Sequence, residues 1–169
     1  LARVVAYAAE RGIRVVPELD VPGHTTCWLP AYPDWGCRPV EPSRRFGVHR
    51  ACLDPTRPAV LEAVRTLFTE LADVFPDAYL HFGGDEVHPD WWSTTPAVRS
   101  FMAAQGLATA HDLQAWFNRA VVAHIVGLGR RPLGWDEVLH PDLPAAVTVQ
   151  CWRGATARDR ALEGGHDTI

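Results

Sequence analysis

The densest chemistry in the sequence is the run His81-Phe82-Gly83-Gly84-Asp85-Glu86. Its two glycines let the backbone turn sharply and admit a ligand close to it. Adjacent carboxylates on a regular strand point to opposite faces. A Gly-Gly irregularity at a strand end can aim both at one pocket. Two carboxylates that close repel when both are ionised, so one is pushed to higher pKa. Such a group can act as a general acid at neutral pH while its neighbour stays anionic. Taken alone, the run reads more readily as a solvated acidic turn or a helix cap.

Three more strand-end runs carry the argument further. Glu18-Leu19-Asp20-Val21-Pro22-Gly23-His24 sets a carboxylate and an imidazole four residues apart. Gly134-Trp135-Asp136-Glu137 and Gln150-Cys151-Trp152-Arg153-Gly154 each add a Trp. Flat apolar rings beside carboxylates suit a sugar. The rings stack on its C–H face, and the carboxylates handle its hydroxyls and leaving group.

The elements that position these residues follow from periodicity. A helical pattern over residues 1–10 stops near Gly12. Residues 13–19 read as a short apolar strand, although Pro17 has no N–H for a ladder. An irregular stretch from 21 to about 53 holds five prolines, three of the four cysteines and the Pro-Gly-His turn; loops of that length are usually functional. Asp54-Pro55-Thr56 signals a helix start, and Val60, Val64, Leu67, Phe68, Leu71 and Val74 recur at helical spacing. Residues 78–82 form the next strand, followed by a Trp- and Pro-rich loop. A long helix spans about 109–127, with Trp116 on its apolar face as core. Strands at 131–134 and 147–150, the latter continuing through Cys151, a short helix at 155–163 and a final strand from 167 complete the pattern. This βαβαβ alternation predicts an α/β protein with a parallel sheet covered by helices, and with its site at the C-terminal strand ends.

Composition limits the function classes. The 169 residues are 47% apolar and 21% charged, ordinary for a globular chain. No apolar run reaches the roughly 18 residues of a membrane span. The formal charge of −4 offers no basic surface to nucleic acid. All 16 basic residues are Arg, which excludes Schiff-base and P-loop lysine chemistry.

Pro-Glu-Leu-Asp-Val-Pro-Gly-His at 17–24, His-Phe-Gly-Gly-Asp-Glu-Val at 81–87, Gly-Trp-Asp-Glu-Val at 134–138 and Cys-Trp-Arg-Gly at 151–154 resemble, in order and placement, the glycoside hydrolase family 20 β-N-acetylhexosaminidases. The resemblance covers nearly the whole chain. It implies a partial TIM (β/α)8 barrel, about strands 3 to 7 of a single catalytic domain. It implies hydrolysis of terminal N-acetyl-β-D-hexosamine residues from an oligosaccharide or glycoconjugate, with no cofactor. The implied mechanism is substrate-assisted and retaining, an exception to the two-carboxylate scheme. Glu86 is then the general acid/base, and Asp85 polarises the 2-acetamido group. Trp135 and Trp152 wall the sugar site, His24 joins the network that holds Glu86, and Asp20 supports its loop. Trp92 borders the outer pocket, with Trp91 as competitor. The family's motifs from strands 1, 2, 7 and 8 have no counterpart, so a piece of a longer enzyme, inactive alone, is expected.

Two other readings compete. A metal-dependent barrel hydrolase could use His24, Asp85, Glu86 and His88, though no paired-His motif ends a strand. A non-catalytic carbohydrate-binding relative would keep the pocket without turnover, but both acidic residues are present. A family 18 chitinase lacks its spaced Asp/Glu strand motif here. Cys37 and Cys52 share the long loop; they either pair in an oxidising compartment or stay free thiols.

Overall fold

The computed structural model describes residues 1–45 and 47–169. Three parallel strands form the sheet: β1 (Tyr79–His81), β2 (Arg131–Trp135) and β3 (Thr148–Gln150), in that order. The register pairs Leu80 with Pro132 and Gly134 with Val149. One parallel bridge extends each edge, Glu18 to His81 and Val149 to Thr168. The chain therefore occupies five parallel positions, and residues 167–169 pair where the last strand is expected.

Residues 13–19 do not form the regular strand expected of them. The segment runs beside β1 through three backbone hydrogen bonds: His81 N–H to Pro17 O, Leu19 N–H to His81 O, and Val21 N–H to Phe82 O. Pro17 accepts but cannot donate, so the ladder stays a single bridge. Cys151 lies just past β3, not inside a strand.

The described residues form six α-helices: α1 (Ala2–Ala9), α2 (Pro58–Val74), α3 (Asp90–Thr94), α4 (Pro96–Gln105), α5 (Ala110–Gly127) and α6 (Ala155–Glu163). α2 begins at Pro58, whose fixed φ suits the first helical turn. Asp54 instead closes the preceding turn, accepting from the Thr56 N–H and hydroxyl and from Arg57. α5 starts at a capping box in which Thr109 and Asp112 satisfy each other's backbone N–H. The expected loop after β1 is largely helical. Pro96 opens α4, and Val98, Phe101 and Met102 turn its apolar side inward.

The main core joins Val60, Val64 and Phe68 of α2 to Phe117, Val121 and Ile125 of α5 and to Leu80, Phe82 and Val149 of the sheet. A second cluster holds Cys52, Trp92, Val98 and Leu113. Trp116 packs against both clusters, which agrees with its place on the apolar face. All four cysteines are free thiols; burial pushes Cys37 up to about 11 and Cys52 up to about 12. No described helix is long and apolar enough to cross a membrane.

Candidate active site

The turn after β1 can be made only by glycine. Gly83 and Gly84 have φ of +69° and +93°. A Cβ on Gly83 would lie 1.8 Å from Asp20 Oδ1, and one on Gly84 would lie 2.3 Å from Val138 Cγ1. The absent side chains let the Asp20 carboxylate rest on the turn, where Oδ1 accepts the Gly84 N–H at 2.8 Å. The remaining backbone groups are engaged too. Gly83 N–H donates to His81 Nδ1, Trp135 N–H donates to Gly83 O, and the Gln114 amide donates to Gly84 O. Beyond this fixed turn, Glu86 itself has a φ of +50°, and His24 has one of +51°. Two non-glycine residues in the left-handed region, side by side, mark a place where the fold holds strained backbone.

His24 stands at the centre of three carboxylates. Its Nε2 is 3.3 Å from Glu86 Oε2, 3.5 Å from Asp85 Oδ2 and 3.8 Å from Asp20 Oδ2. Burial raises the Asp20 carboxyl to about 8, with the neighbouring Asp85 charge adding to it and the Gly84 N–H opposing it. Among the described residues, Asp85 Oδ1 is buried and without a hydrogen-bond partner, and so is His81 Nε2. Burial lowers the His81 pKa, favouring a neutral ring. A buried acceptor left unpaired in a folded protein is costly and calls for an explanation.

The two Trp residues are anchored by carboxylates. The Trp135 indole N–H donates to Glu18 Oε1 at 2.9 Å, and its ring lies 4.9 Å from that of His81. The Trp152 indole N–H donates to Glu137 Oε2 at 3.1 Å, leaving the ring half exposed. Beneath Trp152, Asp136 is fully buried. It accepts from the Trp152 and Arg153 N–H groups and pairs with the Arg153 guanidinium. Burial would raise the Asp136 carboxyl, but those donors and the Arg153 charge outweigh it and hold it low. Burial dominates at Glu137 and raises it.

Asp20, His24, Asp85 and Glu86 are thus brought together, with Trp135 and Trp152 on the neighbouring strand ends. Trp92 is buried in the second core cluster, where its indole N–H reaches Leu53 O, and it lines the floor of the cavity of about 580 Å³ that Glu86 borders. Trp91 is the more accessible of the two, with the Arg38 guanidinium 5.3 Å over its ring. His88 takes no part in the cluster; the grouped donor atoms, all within 4.8 Å of one another, belong to Asp20, His24 and Asp85. The anchoring roles of Glu18 and Glu137 were missed, although both stand in the quoted motifs. Glu86 borders two cavities, one of about 580 Å³ toward Asp136 and Glu137 and one of about 620 Å³ under the loop at 26–49.

The model for glycosyl hydrolase family 20, catalytic domain, matches residues 1–169. A beta-hexosaminidase of Porphyromonas gingivalis is 34% identical over 168 residues, covering 98% of this chain and 22% of that protein. A chitobiase structure from Flavobacterium johnsoniae superposes with a TM-score of 0.89 at 34% identity, over 99% of this chain and 27% of that one. An exo beta-N-acetylglucosaminidase from Vibrio harveyi, in complex with N-acetylglucosamine, gives a TM-score of 0.85 at 27% identity, over 99% and 27%. The chain spans only about a quarter of the length of these relatives. With the family model matched from first residue to last, the chain belongs to glycosyl hydrolase family 20.

Proposed function

We propose that residues 1–169 are the central portion of a single (β/α)8 catalytic domain, about strands 3 to 7. The parent enzyme hydrolyses terminal non-reducing N-acetyl-β-D-hexosamine residues by a substrate-assisted, retaining mechanism. The observation that carries this reading is the unpaired, buried Asp85 Oδ1 beside Glu86. An acceptor kept dry and free suits a ligand N–H, and the 2-acetamido group supplies one.

In the first step the acetamido oxygen attacks the anomeric carbon. The glycosidic C–O bond breaks, and Glu86 gives its proton to the departing oxygen. Asp85 accepts the acetamido N–H and stabilises the positive charge that grows on the oxazolinium ring. In the second step Glu86, now a carboxylate, takes a proton from water. The water oxygen bonds to the anomeric carbon, and the acetamido group is restored. His24, 3.3 Å from Glu86, holds that carboxyl in place. Trp135 and Trp152 offer stacking faces, each pinned by a carboxylate at its N–H. The neighbour holding N-acetylglucosamine supports this substrate class.

The full-length parent, assayed on an aryl N-acetyl-β-glucosaminide beside Glu86→Gln and Asp85→Asn, tests the reading. The loss expected for Glu86→Gln is about 10² to 10⁴ in kcat, the usual worth of a general acid. Unchanged turnover in both variants sinks it. A second reading, metal-dependent hydrolysis, draws on the close donor atoms of Asp20, His24 and Asp85. Activity retained in chelator removes it.

A further inference from the structure

The two cavities that border Glu86 differ in charge. The one of about 580 Å³ is lined by Asp136 and Glu137 against Arg153 and Arg160, and Arg153 is already committed to Asp136. The one of about 620 Å³ lies under the long loop. Among its described lining residues the only carboxylate is Glu86, and facing it are Arg45 and His49. With Glu86 holding the proton it donates, the first cavity carries equal numbers of Asp/Glu and Arg charges. The second carries the Arg45 charge uncompensated.

Arg45 is held from its backbone. Its N–H donates to Ser43 Oγ at 3.1 Å, and its carbonyl meets His49 Nε2 at 3.0 Å. Its side chain is left to the cavity it lines. Among the described residues no carboxylate lies within 4.0 Å of its guanidinium, whereas the nearby Arg50 pairs with Asp90 at 3.5 Å. Pro30, Ala31, Pro42 and Val48 supply the apolar part of the wall that Arg45, His24 and Glu86 share.

We propose that this cavity is the leaving-group subsite and that it selects an anionic aglycone: a sugar carrying a carboxylate or a sulfate, gripped by Arg45. The inference rests on the hexosaminidase reading above. A general acid stands between the sugar it releases and the group it protonates. Asp85 marks the side of the N-acetylhexosamine; both cavities reach Glu86 without touching Asp85, and of the two only the loop cavity also touches His24 and carries an uncompensated cation. A guanidinium meets carboxylate and sulfate oxygens with paired N–H donors. Arg45 is exposed, where such a paired contact changes affinity by a few-fold to about tenfold.

The test uses the full-length enzyme and two matched pairs of disaccharides. One pair is N-acetylglucosaminyl-β-1,4-glucuronate and its methyl ester. The other is N-acetylglucosaminyl-β-1,4-N-acetylglucosamine with and without a 6-sulfate on the reducing sugar. Expected is a kcat/KM a few-fold to about tenfold higher for the charged member of one pair or both. That ratio should collapse in Arg45→Gln, recover in part in Arg45→Lys, and shrink as salt rises. The pair that shows the ratio names the anion. Equal rates within both pairs overturn the proposal, and so does a preference that survives Arg45→Gln. An aryl N-acetyl-β-glucosaminide is run alongside. Turnover of it with no anion preference leaves the hexosaminidase reading standing and removes only the subsite. No turnover of it overturns that reading and the subsite with it.

Discussion

The chain holds two Asp-Glu pairs at the ends of neighbouring parallel strands, Asp85-Glu86 after β1 and Asp136-Glu137 after β2. The second pair is saturated. Asp136 accepts two backbone N–H groups and pairs with Arg153, and Glu137 takes the Trp152 indole N–H. The first pair has no arginine. It shares one imidazole with Asp20, and Asp85 keeps a buried oxygen without a partner. Dipeptide identity is therefore not what makes a site. The saturated pair builds the scaffold that holds Trp152, and the unsatisfied pair stores an interaction for something else to complete.

Charge-neutral exchange at the two glutamates is the strongest way to break this comparison. Glu86→Gln should lower kcat by about 10² to 10⁴, since the amide cannot give up a proton. Glu137→Gln keeps an oxygen that can accept from Trp152, so its loss should stay below about tenfold. Steady-state kinetics on an aryl N-acetyl-β-glucosaminide separate the two. Equal losses would put the chemistry at both strand ends and dissolve the distinction.

The aspartates should differ in stability instead. Asp136→Ala leaves the Arg153 charge and two N–H groups without their acceptor. The expected cost is about 2 to 4 kcal/mol, read as a lower unfolding midpoint. Asp85→Asn costs no contact at the buried Oδ1 position, which has no partner, so the midpoint should stay level or rise while activity falls. A midpoint that drops as far for Asp85→Asn as for Asp136→Ala would mean that Asp85 is structural.

Much of this was legible in the sequence because it is local. Gly83-Gly84 before two acids, Pro-Gly before His24, and a Trp at each later strand end are contiguous signals. They put Asp20, His24, Asp85 and Glu86 on turns that the fold brings together. What was not legible depends on distant partners. Trp135 is anchored by Glu18, 117 positions away. Trp92 is buried because Cys52, Val98 and Leu113 converge on it, while its neighbour Trp91 stays half-buried against the main core; the sequence offers two equal indoles. The helices at 90–105 are short and begin among prolines and tryptophans, so they read as loop. The raised Asp20 carboxyl was not legible either, because it depends on a rest 63 positions away, on a glycine that has no side chain to displace it.

The raised Asp20 carboxyl gives the sharpest sign test, because Asp20 and Asp136 should tilt stability in opposite directions. Asp136 is held below the usual carboxylate range, so its contribution is present above that range and is lost as pH falls through its folded value. Asp20 is raised from 3.8 to about 8. Between those values the folded chain holds a proton that the unfolded chain has released. Stability from Asp20 is thus complete below about pH 4 and drains away as pH rises toward 8. Asp20→Asn is uncharged throughout and does not follow this slope. Thermal unfolding of wild type and Asp20→Asn at pH 4, 6 and 8 should show a gap that shifts steadily in favour of the variant and levels off above 8. For Asp136→Asn the gap should narrow as the pH falls below 4. A flat gap for Asp20→Asn, or one that shifts toward wild type as pH rises, would show that Asp20 is an ordinary ionised carboxylate. The contrast between the saturated and unsaturated strand ends would then rest on Asp85 and Glu86 alone.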